Sequence, residues 1–175
     1  MKYIAYHGTD SKPFQKFCYN RIGERIIHYG PGFYFTPNVI AAAQQYGQHV
    51  LKASIEINNP IIAGEQQVDW RILVEHFNGE DNTIYEGLNM PFEEDDTDDR
   101  KWDQCWGYYL GPSGDDIQIL KDVYHLSEVT SYERYLDVVN RVLGLDGVVV
   151  ESDPYTNDQP VYVAWFNRQI KFLHW

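Results

Sequence analysis

Runs of alternating and of helically spaced apolar residues cover most of this chain, broken by one long interval with neither period. Lys2 to Tyr6 reads as a short strand that delivers His7 to its end, and residues 10 to 31 are polar and irregular, with Pro13, Gly23, Gly30 and Pro31 as breakers. Phe33 to Thr36 predicts a second strand. Pro37 then opens a helix through Tyr46, where three consecutive alanines raise helical propensity and Gly47 ends it. Val50 to Ile57 alternates as a half-buried strand does, until Asn58-Asn59-Pro60 breaks it. Val68 to Phe77 predicts a helix with Val68, Ile72, Leu73 and Phe77 on or near one face. After the unpatterned interval, Thr130-Ser-Tyr-Glu133 matches a capping box. It precedes a helix with Tyr135, Val138, Val139, Val142 and Leu143 as its apolar face, closed by Gly144. Leu145 to Val150 predicts a turn and a buried strand, and Val161 to Phe166 the last strand. Strands this short, and this irregularly mixed with helices, predict an α+β fold in one domain spanning residues 1–175.

Charge changes the picture at one place. The chain of 175 residues carries a formal charge of -12, and residues 80 to 116 hold twelve acidic side chains against Arg100 and Lys101, a net of -10. The remaining residues therefore sum to only -2, so the acidity belongs to an insert at about 79–116. That charge disfavours long nucleic acid backbones. Trp102, Trp106, Tyr108 and Tyr109 interleave the carboxylates, which predicts that part of the insert docks on its own domain or on a basic partner. Cys18 and Cys105 have no metal-binding spacing, and no metal is expected. With no apolar run long enough for a membrane and no evident signal peptide, a cytoplasmic protein is the expectation.

The candidate chemistry lies in three segments. Tyr6-His7-Gly8-Thr9 and Gly32-Phe33-Tyr34-Phe35-Thr36 each put a polar ring beside a glycine in a strand, and Val161 to Trp165 leads to Gln169-Ile170-Lys171. In this order, with the Tyr46 helix following the second motif, they resemble the ADP-ribosyltransferases of the diphtheria-toxin and poly(ADP-ribose)-polymerase type. The closest likeness is to the ADP-ribosyltransferase domains of phage and mobile-element polyvalent proteins. The resemblance implies a split, twisted sheet with NAD, the co-substrate, in the cleft between its halves. It assigns His7 to a ribose hydroxyl, Gly8 to a close backbone approach to the nicotinamide carboxamide, and Thr9 to the small hydroxylic position that follows. Tyr34 is implied to stack on nicotinamide, with Tyr46 as the opposing ring.

At the third catalytic position the resemblance calls for glutamate, and the count back from Gln169 reaches Val161, which brings neither charge nor hydrogen bond. Gln159, two residues earlier on the same face of an extended segment, is the expected third member, with Glu151 as the alternative carboxylate. The implied activity is transfer of one ADP-ribose unit from NAD to a macromolecular acceptor, a protein first and a nucleic acid second. Two other readings stand beside it. One is a degenerate module that holds NAD or a partner without chemistry, and the other an inhibitor-type protein acting through the acidic insert.

Overall fold

Alternating strands outnumber helices in the first third of the chain, and they build the two sheets that frame everything else. The computed structural model of the chain describes residues 1–12, 14–22, 28–65, 68–78 and 116–173. Pro13, Gly23, Cys105 and the acidic insert up to Asp115 lie outside the described residues.

One sheet has three strands in the order β1 (Lys2–Thr9), β3 (His49–Glu56) and β7 (Ile170–Phe172), all antiparallel. The other has four, in the order β2 (Phe33–Phe35), β6 (Gln159–Ala164), β5 (Gly147–Asp153) and β4 (Pro60–Ile62), with only β4 and β5 parallel. Among the described residues a single bridge joins the sheets: Tyr6 and Thr36 exchange backbone hydrogen bonds of 2.8 and 3.0 Å. The architecture is α+β. His7 stands inside β1, paired with Leu51, whereas the sequence pattern expects it at the strand's end. Pro60 begins β4 instead of only ending β3; as the first residue of an edge strand it costs the ladder no donor.

Two apolar cores follow from strand alternation. One lies between the sheets, where Ala5, Ala53 and Ile55 meet Phe33, Phe35 and Ala164, with Phe17 wedged among them. The other covers the opposite face of the four-stranded sheet, where Val148, Val150, Val161 and Val163 pack under helices. Those helices are α2 (Arg71–Asn78), α3 (Asp116–Leu126) and α4 (Tyr132–Leu143). The stretch forming α3 carries no helical prediction, yet Ile117, Ile119, Leu120 and Val123 give it a buried stripe at helical spacing. Asp116, counted with the insert by charge, is a buried member of this core and accepts a 2.7 Å bond from Trp70 Nε1. Ile72, expected on the apolar face of α2, is 52% exposed; Leu73 is buried as expected, and Val74 joins it with Trp70, which stands just before the helix.

Helix ends differ from the sequence expectation in one respect each. The helix α1 (Val39–Tyr46) starts after Asn38, not at Pro37, because the Asn38 carboxamide oxygen caps it by accepting from Ile40 and Ala41 amides at 2.9 and 3.1 Å. The capping box on Thr130 does not form: Ser131 is the N-cap of α4 and makes no side-chain cap. Gly144 does close α4, at φ 72°, donating its amide to Asn140 at 2.9 Å. No helix among the described residues is long and apolar enough to cross a membrane.

Candidate functional site

Backbone direction decides what the join between the sheets exposes. In an antiparallel strand both polar groups of a residue point to the same side, and the side alternates along the chain. Tyr6 spends both groups on Thr36, so Gly8, two residues on, also points its N–H and C=O away from β3. Tyr34, two residues before Thr36, likewise aims its backbone groups toward β1 and away from β6. Gly8 and Tyr34 therefore face each other across the place where the sheets part. His7 Nδ1 lies 2.8 Å from the Tyr34 carbonyl and spans that gap. A carbonyl only accepts, so Nδ1 carries the hydrogen, and in the neutral ring Nε2 is left with the lone pair. Gly8 is buried, and both of its backbone groups point toward this parting.

The rings of His7 and Tyr34 depart to opposite sides. His7 packs within the inter-sheet core, 4.8 Å from the Phe17 ring and 5.6 Å from Phe35. Tyr34 packs against the helix-covered core, with its ring 6.2 Å from that of Tyr46 at the end of α1. The two rings are tilted by 47°, whereas a flat ring sandwiched between two others needs parallel faces about 7 Å apart, so Tyr46 has to turn and move outward to admit one. The Tyr34 hydroxyl is locked: it donates to the Gly30 carbonyl at 2.7 Å and accepts the Tyr29 amide at 3.0 Å. Burial, above all, pushes its pKa well above the ordinary value for tyrosine.

Gly8 has a second reason to lack a side chain. A Cβ there would stand 2.0 Å from the Ala42 carbonyl oxygen, so α1 packs directly onto the β1 backbone. Thr9 accepts the Ser11 amide at 3.1 Å through Oγ1 as the chain turns out of β1.

Beyond these, the site gathers two residues that sequence reasoning passed over. Asp153, 1% exposed, accepts the Tyr29 hydroxyl at 2.5 Å and the Tyr155 amide at 3.3 Å, both through Oδ1. Tyr29 thereby links the carboxylate to the Tyr34 hydroxyl. Asp153 also reaches Tyr46 electrostatically: burial first, then this negative charge, push the Tyr46 pKa up to about 12. Local pattern hides Asp153, since Asp-Pro reads as an exposed turn. Strict alternation after Val148 and Val150 would send Ser152 to the Tyr34 side, but the ladder shifts register between Val150 and Asp153, and Asp153 takes that place.

Val161 is fully buried in the helix-covered core, paired with Val150. Gln159 opens β6, half-buried, opposite Asp153, and its carbonyl accepts the Thr156 hydroxyl at 2.8 Å. Glu151 is exposed on β5. Gln169 serves the fold: its Oε1 accepts the Trp165 and Phe166 amides at 3.0 and 2.8 Å, while Nε2 donates to the Glu56 and Asp146 carbonyls. Cys18 is exposed and free, and among the described residues no three His, Cys, Asp or Glu side chains gather to hold a metal ion. A cavity of about 670 Å³ opens between residues 16–22 and the start of α4, beside Tyr19, Tyr124 and Tyr132; it contains none of the site residues above.

No family model matches the chain, and no curated protein matches it. A solved structure, the crystal structure of an anti-CRISPR protein, is similar over 99% of this chain and 96% of its own, at 12% identity and a TM-score of 0.39. A likeness at that level bears on neither the fold type nor the function of this chain.

Proposed function

We propose that this protein binds NAD at the parting of the two sheets and transfers one ADP-ribose unit from it to a macromolecular acceptor, releasing nicotinamide. The observation that carries the reading is the Gly8 backbone pair, a donor and an acceptor aimed toward β2 from a buried position beneath α1, one step beyond the join at Tyr6 and Thr36. A carboxamide offers the complementary acceptor and donor, and only a residue without a side chain fits beneath α1 at that point. Tyr34 adjoins this parting with its hydroxyl fixed at both lone pair and hydrogen, so its ring is preorganised to stack. His7 is held in place by its Nδ1 bond to the Tyr34 carbonyl, beside the same parting.

These groups orient the co-substrate and leave the positive charge that develops on the ribose to be met by a negative one. Gln159 brings a hydrogen bond without charge. A protein is the first choice of acceptor and a nucleic acid the second. A non-catalytic NAD-binding module is the second reading, and the fully buried Val161 at the family's glutamate position favours it.

Calorimetry with NAD, paired with an assay of nicotinamide release, tests both. Tyr34→Ala should weaken NAD binding by about 1–3 kcal/mol through the lost stacking area. Unchanged affinity in a folded Tyr34→Ala protein would remove the NAD site. Tight binding without release of nicotinamide, in the presence of a cell lysate, would select the module.

A further inference from the structure

We propose that Asp153 supplies the negative charge of this site and makes it selective for ligands that carry a positively charged flat ring. The identity of the natural ligand, the pyridinium end of NAD, rests on the preceding reading; the charge selection stands on its own geometry.

Asp153 is buried, and its two oxygens are used unequally. Oδ1 holds Tyr29 and Tyr155, while among the described residues Oδ2 takes no hydrogen-bond partner. Burying a carboxylate is costly unless donors or a positive charge offset it, and the Tyr29 hydroxyl and the Tyr155 amide are both neutral donors. Around it stand three rings. Tyr29 is bonded to it, Tyr34 is bonded to the Tyr29 amide, and Tyr46 lies 6.2 Å from Tyr34 and within the carboxylate's field. Ring faces attract cations, most strongly where water is excluded, and a carboxylate behind them adds a full counter-charge. All three hydroxyls titrate above the ordinary value for tyrosine, so in the neutral range the rings are uncharged and Asp153 provides the field.

Neither other candidate for the third position offers this. Glu151 is exposed on the neighbouring strand, and Gln159 is uncharged. Asp153 reaches the Tyr34 side of the sheet only because of the register shift after Val150.

The test compares three small probes by calorimetry on the full chain: 1-methylnicotinamide, a cation; nicotinamide, its neutral counterpart; and 1-methylpyridinium, a cation without the carboxamide. The unaltered protein should bind 1-methylnicotinamide about tenfold more tightly than nicotinamide. Asp153→Asn keeps an oxygen for Tyr29 and Tyr155 and should bring the two ligands close to equal, with nicotinamide affinity little changed. Equal binding of the two by the unaltered protein overturns the proposal, and that measurement needs no variant to fold. A preference that survives in folded Asp153→Asn also overturns it. The two readings separate cleanly. Asp153-dependent binding of 1-methylpyridinium without any binding of NAD upholds the charge selection and removes the NAD site. NAD binding with no cation preference does the reverse.

Discussion

Replacing Gly8 by alanine forces a methyl group into space that the backbone of α1 already holds. On local grounds the substitution should help: Gly8 has no left-handed φ, and glycine to alanine at a compatible position stabilises by about 0.4–1 kcal/mol through the unfolded chain. Packing reverses the sign. The new Cβ would lie 2.0 Å from the Ala42 carbonyl oxygen, 2.8 Å from its carbonyl carbon and 3.0 Å from the Gly47 oxygen. All three are backbone atoms, so no side chain can rotate away; α1 must lift from β1. Its Ala41 and Ala42 are buried against the sheet and its first turn is tied by Asn38, which resists the shift. Overpacking costs about 1–3 kcal/mol, and a backbone obstacle places this case near the top, for a net loss of about 2 kcal/mol. In a chain of this size that lowers the melting temperature by about 4–8 °C. Urea unfolding measures it, with Gly64→Ala as the comparison. Gly64 has open space around its Cβ and a φ of +82°, so only backbone strain of about 1 kcal/mol applies there. A Gly8→Ala protein as stable as the parent, or more so, would refute the packing argument. Under the proposed function, displacing Gly8 also weakens NAD binding, which the Gly64 variant should leave alone.

Three further outcomes are expected. Trp70→Phe removes the indole donor from buried Asp116 and should cost about 2–3 kcal/mol in urea unfolding, well beyond the small change in apolar area; parental stability would mean the bond contributes nothing. Asn38→Ala should cost about 1 kcal/mol while Asn38→Asp stays close to the parent, since only the alanine leaves two α1 amides uncapped; equal stabilities would show the cap to be idle. Tyr46 is raised from about 10 to about 12 by burial and by Asp153, so its contribution is complete below pH 10 and lost as pH climbs toward 12. Tyr46→Phe should therefore flatten the fall in unfolding midpoint between pH 9 and 12, and a slope identical to the parent's would contradict the assignment.

Elements whose residues answer to near neighbours were legible in the sequence. The face of α4 follows from spacings of three and four: Tyr135 and Val139 are buried and Val138, Val142 and Leu143 partly so, while Leu136, outside the expected face, is buried as well. The strands holding His7 and Tyr34 follow from alternation, and Gly144 closes α4 because a helix end needs the left-handed φ that glycine adopts freely. The α+β class comes from the same local signals. Elements that depend on distant partners were not legible. The three residues of β4 become a strand by pairing with β5, 87 residues on, and Asp116 lies in the core, where Trp70 reaches it from 46 residues away. The site divides along this line. His7, Gly8 and Tyr34 stand out in the sequence as two short motifs, and the roles given to them are those that the resemblance implies. That Gly8 and Tyr34 face each other where the sheets part depends on the bridge between Tyr6 and Thr36 and on its parity, which a shift of a single residue would invert. Asp153 depends on a bulge and on Tyr29, 124 positions away. A carboxylate before a proline looks like solvent-exposed turn until the sheet folds a tyrosine over it, and only the tertiary structure supplies that ring.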